Sequence, residues 1–172
     1  MKRLLLCLVL LVAIACESPN TPTDGDTPGI DLSTHALVRV METGYEMTIP
    51  VPLTLAANDT PRSVFNAATG VLEVDAGPTF QLDVVESDRE VAEVKAELAE
   101  DQLFTWKFQD ETDTGFIAQA VLPNGESHYF HMYTWMSTAG RSYLVRSREG
   151  QNFTLADVRA MRTAAEAIVL KP

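Results

Sequence analysis

Four side chains of one short run could build a recognition surface. Tyr129, His131, Tyr133 and Trp135 alternate along a strand-like stretch, which sends all four to one face of a sheet. Arg146 and Arg148 alternate in the same way on the next stretch, and a hairpin between the two stretches sets these arginines across from Tyr133 and His131. A guanidinium over a ring is worth about 0.5–1 kcal/mol when exposed. Aromatic and arginine side chains are also enriched where proteins bind other molecules. These six residues form the candidate ligand-binding set. The opposing expectation is that a helix or residues 103–109 continue this face as core. Phe104, Trp106 and Phe108 alternate in that stretch, and the register across the acidic turn at 110–113 decides between the two. Tyr133 and Trp135 packed beneath a helix would remove the ligand-binding reading.

Other chemistries find less support. His128 and His131 resemble a metal pair, but residues three apart on a strand point to opposite faces, so no metal site is expected. The run Asp110-Glu111-Thr112-Asp113 offers threonines at the alternate positions where a calcium loop needs oxygen ligands, with no matching later Glu, so a solvated turn is expected. The chain has no Gly-x-Ser-x-Gly elbow and no glycine-rich phosphate loop. No catalytic residue and no cofactor are therefore assigned.

The remaining chemistry is at Cys16. Residues 4–16 read LLLCLVLLVAIAC, behind the basic Lys2 and Arg3 and ahead of the polar Glu17-Ser18-Pro19-Asn20. An apolar run of this length is short of the ~20 residues needed to cross a bilayer as a helix and has the layout of a secretory signal. Its end, Ala13-Ile14-Ala15-Cys16, resembles the lipobox of bacterial lipoproteins, with Ala13 where Leu or Val is usual. The resemblance covers residues 1–16. It implies diacylglycerol on the Cys16 sulfur, cleavage before it, and attachment to a membrane of the cell envelope. Glu17, in place of an Asp after the Cys, implies the outer membrane. Each buried CH₂ of an acyl chain is worth about 0.8 kcal/mol, and two or three chains on one residue would hold the protein firmly. Cys7 would leave with the signal, so no disulfide is expected in the mature chain.

The sequence of 172 residues has 13 basic and 24 acidic side chains, a net charge of −11. Loss of Lys2 and Arg3 deepens the deficit. Such a surface repels nucleic acid, which is excluded as a partner, and anionic headgroups. Arginine outnumbers lysine nine to four, which fits either a salt-adapted surface or a plain solvated acidic one. Residues 17–33, rich in Pro, Thr, Asp and Gly, form the expected disordered tether, leaving 34–172 as one domain with a core of its own.

Within that domain, 35–52 alternates about Thr43-Gly44 and predicts a hairpin. Pro50 and Pro52 predict that its second strand lies at an edge. Residues 62–68 suggest one or two helical turns, and 71–75 and 79–86 two short strands. Ser87-Asp88-Arg89-Glu90 has the pattern of a capping box, and Val91, Val94 and Leu98 at helical spacing predict a helix over 88–100. Asn124-Gly125 as a two-residue loop pairs Leu122 with Ser127, Ala118 with His131 and Phe116 with Tyr133. A second turn at Ala139-Gly140 pairs Trp135 with Leu144 and Tyr133 with Arg146. The meander then has a plain core face (Ile117, Val121, Phe130, Met132, Met136, Tyr143, Val145) and the mixed face described above. Thr154 and Asp157 open a last helix, whose Leu155, Val158, Met161, Ala165 and Ile168 should lie on the sheet. The expected architecture is α+β, an antiparallel meander with one or two helices packed on it. The order of elements over 35–170 resembles the PsbP-like fold of photosystem subunits and several small bacterial lipoproteins. No residue motif carries this resemblance, so it assigns no functional residue.

The functional expectation is an envelope lipoprotein held at the membrane through lipidated Cys16, with a non-catalytic domain that binds an envelope protein or a cell-wall component. The alternatives are a small-ligand binder using the mixed face, for an anionic or sugar ligand, and an enzyme with a site assembled from scattered residues.

Overall fold

A computed structural model describes residue 31 and residues 33–42, 44–56, 60–138 and 140–170. The expected signal, Cys16 and most of the expected tether lie outside the described residues. The fold is α+β, as expected. A three-stranded sheet and a seven-stranded sheet, both antiparallel, face each other.

The small sheet has the order β1-β2-β10, from His35–Glu42 (β1), Tyr45–Pro52 (β2) and Val169–Leu170 (β10). The hairpin forms as expected, pairing His35 with Pro52 through to Glu42 with Tyr45. The edge expectation for β2 is corrected, because β2 is the middle strand. Its prolines are tolerated because β10 pairs only with Thr48 and Met47. The Leu53 N–H donates to the Thr34 carbonyl, so the prolines at 50 and 52 take the alternate positions, which face away from β1. One helical turn, Leu53–Ala56 (α1), follows.

The large sheet has the order β3-β4-β5-β9-β8-β7-β6. Its strands are Arg62–Asn66 (β3), Val71–Asp75 (β4), Gln81–Glu86 (β5), Thr105–Thr112 (β6), Gly115–Val121 (β7), Ser127–Thr138 (β8) and Arg141–Ser147 (β9). The expected helical turns at 62–68 are corrected to β3. Phe65 lies against Tyr45, with ring centroids 5.2 Å apart, and pairing with β4 overrides local preference. The pairs Ala118–His131, Phe116–Tyr133, Tyr133–Arg146 and Trp135–Leu144 form as expected. Leu122–Ser127 does not, since Ser127 pairs with Val121. Pro123 makes the loop three residues long. The Gly125 N–H donates to the Leu122 carbonyl, and Gly125 has φ +88°, a left-handed residue closing a bulged hairpin.

Between the sheets lies the main core. Met47, Ile49 and Val51 of β2 meet Leu72, Val74, Leu82, Val84, Ile117, Met132 and Val145 of the large sheet. The helix Leu155–Glu166 (α3) closes one side with Val158, Met161 and Ala165. Thr154 caps it, its hydroxyl accepting the Asp157 N–H while the Asp157 carboxylate accepts the Thr154 N–H. Two tyrosines tie the small hairpin to the large sheet. The Tyr45 hydroxyl donates to the Gly70 carbonyl and accepts the Glu86 N–H, and the Tyr143 hydroxyl donates to the Gly44 carbonyl.

The opposite, outer face of the large sheet carries the helix Val91–Ala99 (α2). The expected start at 88 is corrected. Glu90 is the cap and its N–H donates to Glu93, while Ser87 accepts the Arg89 N–H in a turn before the helix. The acid three residues after Glu90 extends the same capping logic by three positions.

Candidate functional site

The mixed face of the sequence is this outer face. Register settles the question left at the acidic turn. Trp106 pairs with Ala120 and Phe108 with Ala118, so the β6 aromatics share the side of Phe116, Tyr133 and His131. The face is therefore a second core over part of its area. Val94 of α2, flanked by Val91 and Leu98, packs on Phe116, Ala118, Tyr133 and Leu144, with Trp106, Phe108 and Trp135 at the margin. Phe116 stacks on Tyr133 at 4.9 Å and meets Phe108 edge-on at 5.2 Å.

The six candidate residues consequently have different surroundings. Tyr133 is buried beneath α2, and burial pushes its hydroxyl up to about 12. Trp135 is half-buried at the mouth of α2, its indole N–H donating to the Arg89 carbonyl at 2.7 Å. It borders an open hollow of about 480 Å³ with Asp88, Glu90, Asp113 and Ser142. His131 is buried, with Nδ1 2.7 Å from the Ser147 hydroxyl. Burial, then the charge of Arg146, holds its pKa down to about 4. Tyr129 is half-buried beyond the end of α2.

Neither arginine lies over a ring, although Arg146 stays close enough to His131 and Tyr133 for its charge to act on both. Arg146 pairs with Glu149. Arg148 reaches across β5 and β4 to Asp83 at 3.2 Å, Asp75 at 3.4 Å and Glu73 at 3.4 Å. The cation that does sit over rings is Lys95 of α2, 5.1 Å from the Phe116 centroid and 5.3 Å from that of Phe108. Sequence reasoning missed it. The available signal was its place one residue after Val94, at the flank of the apolar stripe, where a long stem can lie along aromatic surface.

Compared with protein-family models, curated proteins and solved structures, the chain matches none.

A half-buried aromatic cluster lies where α2 stops. Past Ala99, the Asp101 carboxylate accepts the N–H groups of Leu103 and Phe104 and the Trp106 indole N–H at 3.0 Å. Those bonds, the Leu103 one foremost, hold this carboxylate below its usual range. The turn delivers Phe104 onto His128, stacked at 5.6 Å with an interplanar angle of 12°. Tyr129 stands edge-on to both Phe104 and Trp106 at 5.4 and 5.8 Å. Leu103 is 72% exposed beside them. Of the six candidates Tyr129 belongs to this cluster, and the buried His131 lies behind it, 5.1 Å from the Tyr129 ring and 6.3 Å from that of Trp106. Phe104 and Trp106 follow from the alternation of 104–108, once the β6–β7 register is known, whereas Leu103 and His128 are brought in by the Asp101 turn and by β8.

Chemically, the cluster offers apolar contact area with fixed rings and one carboxylate already engaged by Trp106. The Ser147–His131 pair has the spacing of a nucleophile and a base, but Ser147 is 1% exposed and its oxygen accepts the Met132 N–H. Among the described residues no group of three or more His, Cys, Asp or Glu is placed to hold a metal ion.

Proposed function

We propose that this chain is an envelope lipoprotein, anchored through acylated Cys16, whose domain acts by binding an envelope protein or a cell-wall component. The contact surface in this reading is the open aromatic end formed by Leu103, Phe104, Trp106, His128 and Tyr129. The observation that carries the surface is the exposure of Leu103 next to rings that α2 leaves uncovered. Rigid aromatics beside an exposed aliphatic side chain suit the centre of a recognition patch. An anionic ligand on the original six residues has less support, because Arg146 and Arg148 are already matched by carboxylates.

Two measurements test the reading separately. Cys16→Ser should move the protein from the membrane to the soluble fraction; membrane retention would sink the anchor. Affinity purification of the lipidated protein from its own envelope should then be compared with a Leu103→Asp, His128→Asp variant. Both side chains are exposed, so stability should change by no more than about 0.5 kcal/mol each. A specific partner should fall by about tenfold or more, the loss of roughly 1.4 kcal/mol of binding. Equal recovery by both proteins would remove the aromatic end as the contact surface.

A further inference from the structure

The large sheet forks between β8 and β9. Their pairing runs from Thr138 and Arg141 to Tyr133 and Arg146 and then stops. Beyond that point β9 stays with β5, through Leu82–Ser147 and the Arg148 N–H to the Gln81 carbonyl. β8 stays with β7 as far as Ser127. β8 is next joined backbone to backbone by the segment after β9, where the Phe130 N–H donates to the Phe153 carbonyl at 3.0 Å, just before α3 packs on β8.

One hydroxyl closes the crotch of this fork. Ser147 Oγ accepts the Met132 N–H at 3.2 Å and lies 2.7 Å from His131 Nδ1. The bonding that uses all three groups has the Ser147 O–H donate to Nδ1, which leaves the ring proton on Nε2. The imidazole must be neutral for this. Its surroundings are apolar or cationic on each side. From β6 comes Trp106, from β7 Ala118, from β8 itself Tyr129 and Tyr133, and from the returning segment Phe153. From β9 comes Arg146, whose own partner is Glu149. Asp83 of β5, opposite Arg146, is held by Arg148.

We propose that this fork is an acid-sensitive latch, closed by neutral His131 and opened when the ring takes up a proton. The proton comes from solvent and binds Nδ1. Nδ1–H and the Ser147 O–H are then two donors facing each other, so the hydroxyl hydrogen must rotate off Nδ1, and a buried O–H that had an acceptor loses it. The new imidazolium also stands next to Arg146 in a largely dry seam. Burial and that neighbouring charge place the transition well below the ordinary histidine range, near pH 4. Opening separates β8 from the segment after β9 and uncovers Phe153, while the β5–β9 and β7–β8 ladders persist.

Residue-level hydrogen exchange on the full chain tests this, with rates corrected for intrinsic pH dependence. Between about pH 7 and about pH 4, the Met132 and Phe130 amides should lose about tenfold or more protection, while the β4 and β5 amides change little, as expected of a local opening. His131→Gln keeps a hydrogen-bonding side chain that does not titrate, and should abolish the step. Arg146→Gln removes the nearby cation and should move the midpoint to higher pH, a readout that stands even where His131→Gln fails to fold. Unchanged protection in the wild type, a step of the same size in all strands, a step persisting in His131→Gln, or a midpoint unmoved in Arg146→Gln would each overturn the latch.

Discussion

The two halves of the outer face solve one problem in different ways. Over β6, β7 and β8 the outward residues are aromatic, and α2 covers them. Leu144 of β9 shares that cover, but towards the far end of β4, β5 and β9 the outward residues include Glu73, Asp75, Asp83 and Arg146, and Arg148 gathers the three carboxylates instead. Alternation along each strand is equally regular, so periodicity alone does not reveal what covers a face. A helix excludes water over rings. A guanidinium fork leaves the charged half part-wet, with Arg148 and Asp75 side chains each 21% exposed. The first half gains from apolar area, the second from charge matching offset by desolvation.

The largest effect should come from opening the aromatic half. Phe116 is fully buried between Phe108 and Tyr133, with Lys95 over its ring. Phe116→Ala should cost about 3–5 kcal/mol, measured by urea denaturation. A loss below about 1 kcal/mol would mean that α2 contributes little to the cover.

Acid should act on the halves with opposite signs. His131 has a lowered pKa when folded, so the unfolded chain binds its proton first. Its contribution is fully present above about pH 6.5 and is lost as pH falls to about 4, by up to about 3 kcal/mol. Asp83 is raised by burial, against the pull of Arg148. Its folded form keeps the proton to higher pH than the unfolded chain does, so this residue's burden on the fold is relieved as pH falls through its raised pKa towards the ordinary carboxylate range. In urea titrations across pH, His131→Gln should flatten the acid loss and Asp83→Asn should steepen it. The same slope in both variants and the wild type would assign acid sensitivity to other groups.

Much of this comparison was legible in the sequence. The Ala139-Gly140 signal set the β8–β9 register, and Asn124-Gly125 located the β7–β8 hairpin, whose expected pairs from Ala118–His131 onward hold because a register shift at Ala120/Val121 offsets the three-residue loop. Helical spacing found Val91, Val94 and Leu98. What stayed hidden was non-local. Nothing local distinguishes β3 from a helical turn until β4 pairs with it. No spacing tells Arg148 to prefer the carboxylates of β4 and β5 over the rings of β8, because β5 becomes the neighbour of β9 only after α2 and three strands intervene. The candidate site shifted for the same reason. Tyr133 and Tyr129 are equivalent in pattern, yet α2 covers one and stops before the other.

The finest test of the contrast is the Arg148 fork itself. Replacing the guanidinium by a neutral chain of similar length, Arg148→Met, keeps the aliphatic packing and leaves three carboxylates facing each other on one patch. Removing one partner of a fully buried pair costs about 3–5 kcal/mol. Here partial exposure and solvent screening should reduce the loss to about 1–2 kcal/mol. Because the residual penalty is repulsion between like charges, it should shrink as salt rises from about 0.05 M to about 1 M, where the Debye length falls to about 3 Å. Phe116→Ala should show no such relief, since a cavity has no charge to screen. Urea midpoints for both variants at the two salt concentrations give the comparison directly. A salt-independent Arg148→Met loss would mean that this half is held by the stem of the arginine against its neighbours, and that the two halves are both packing devices after all.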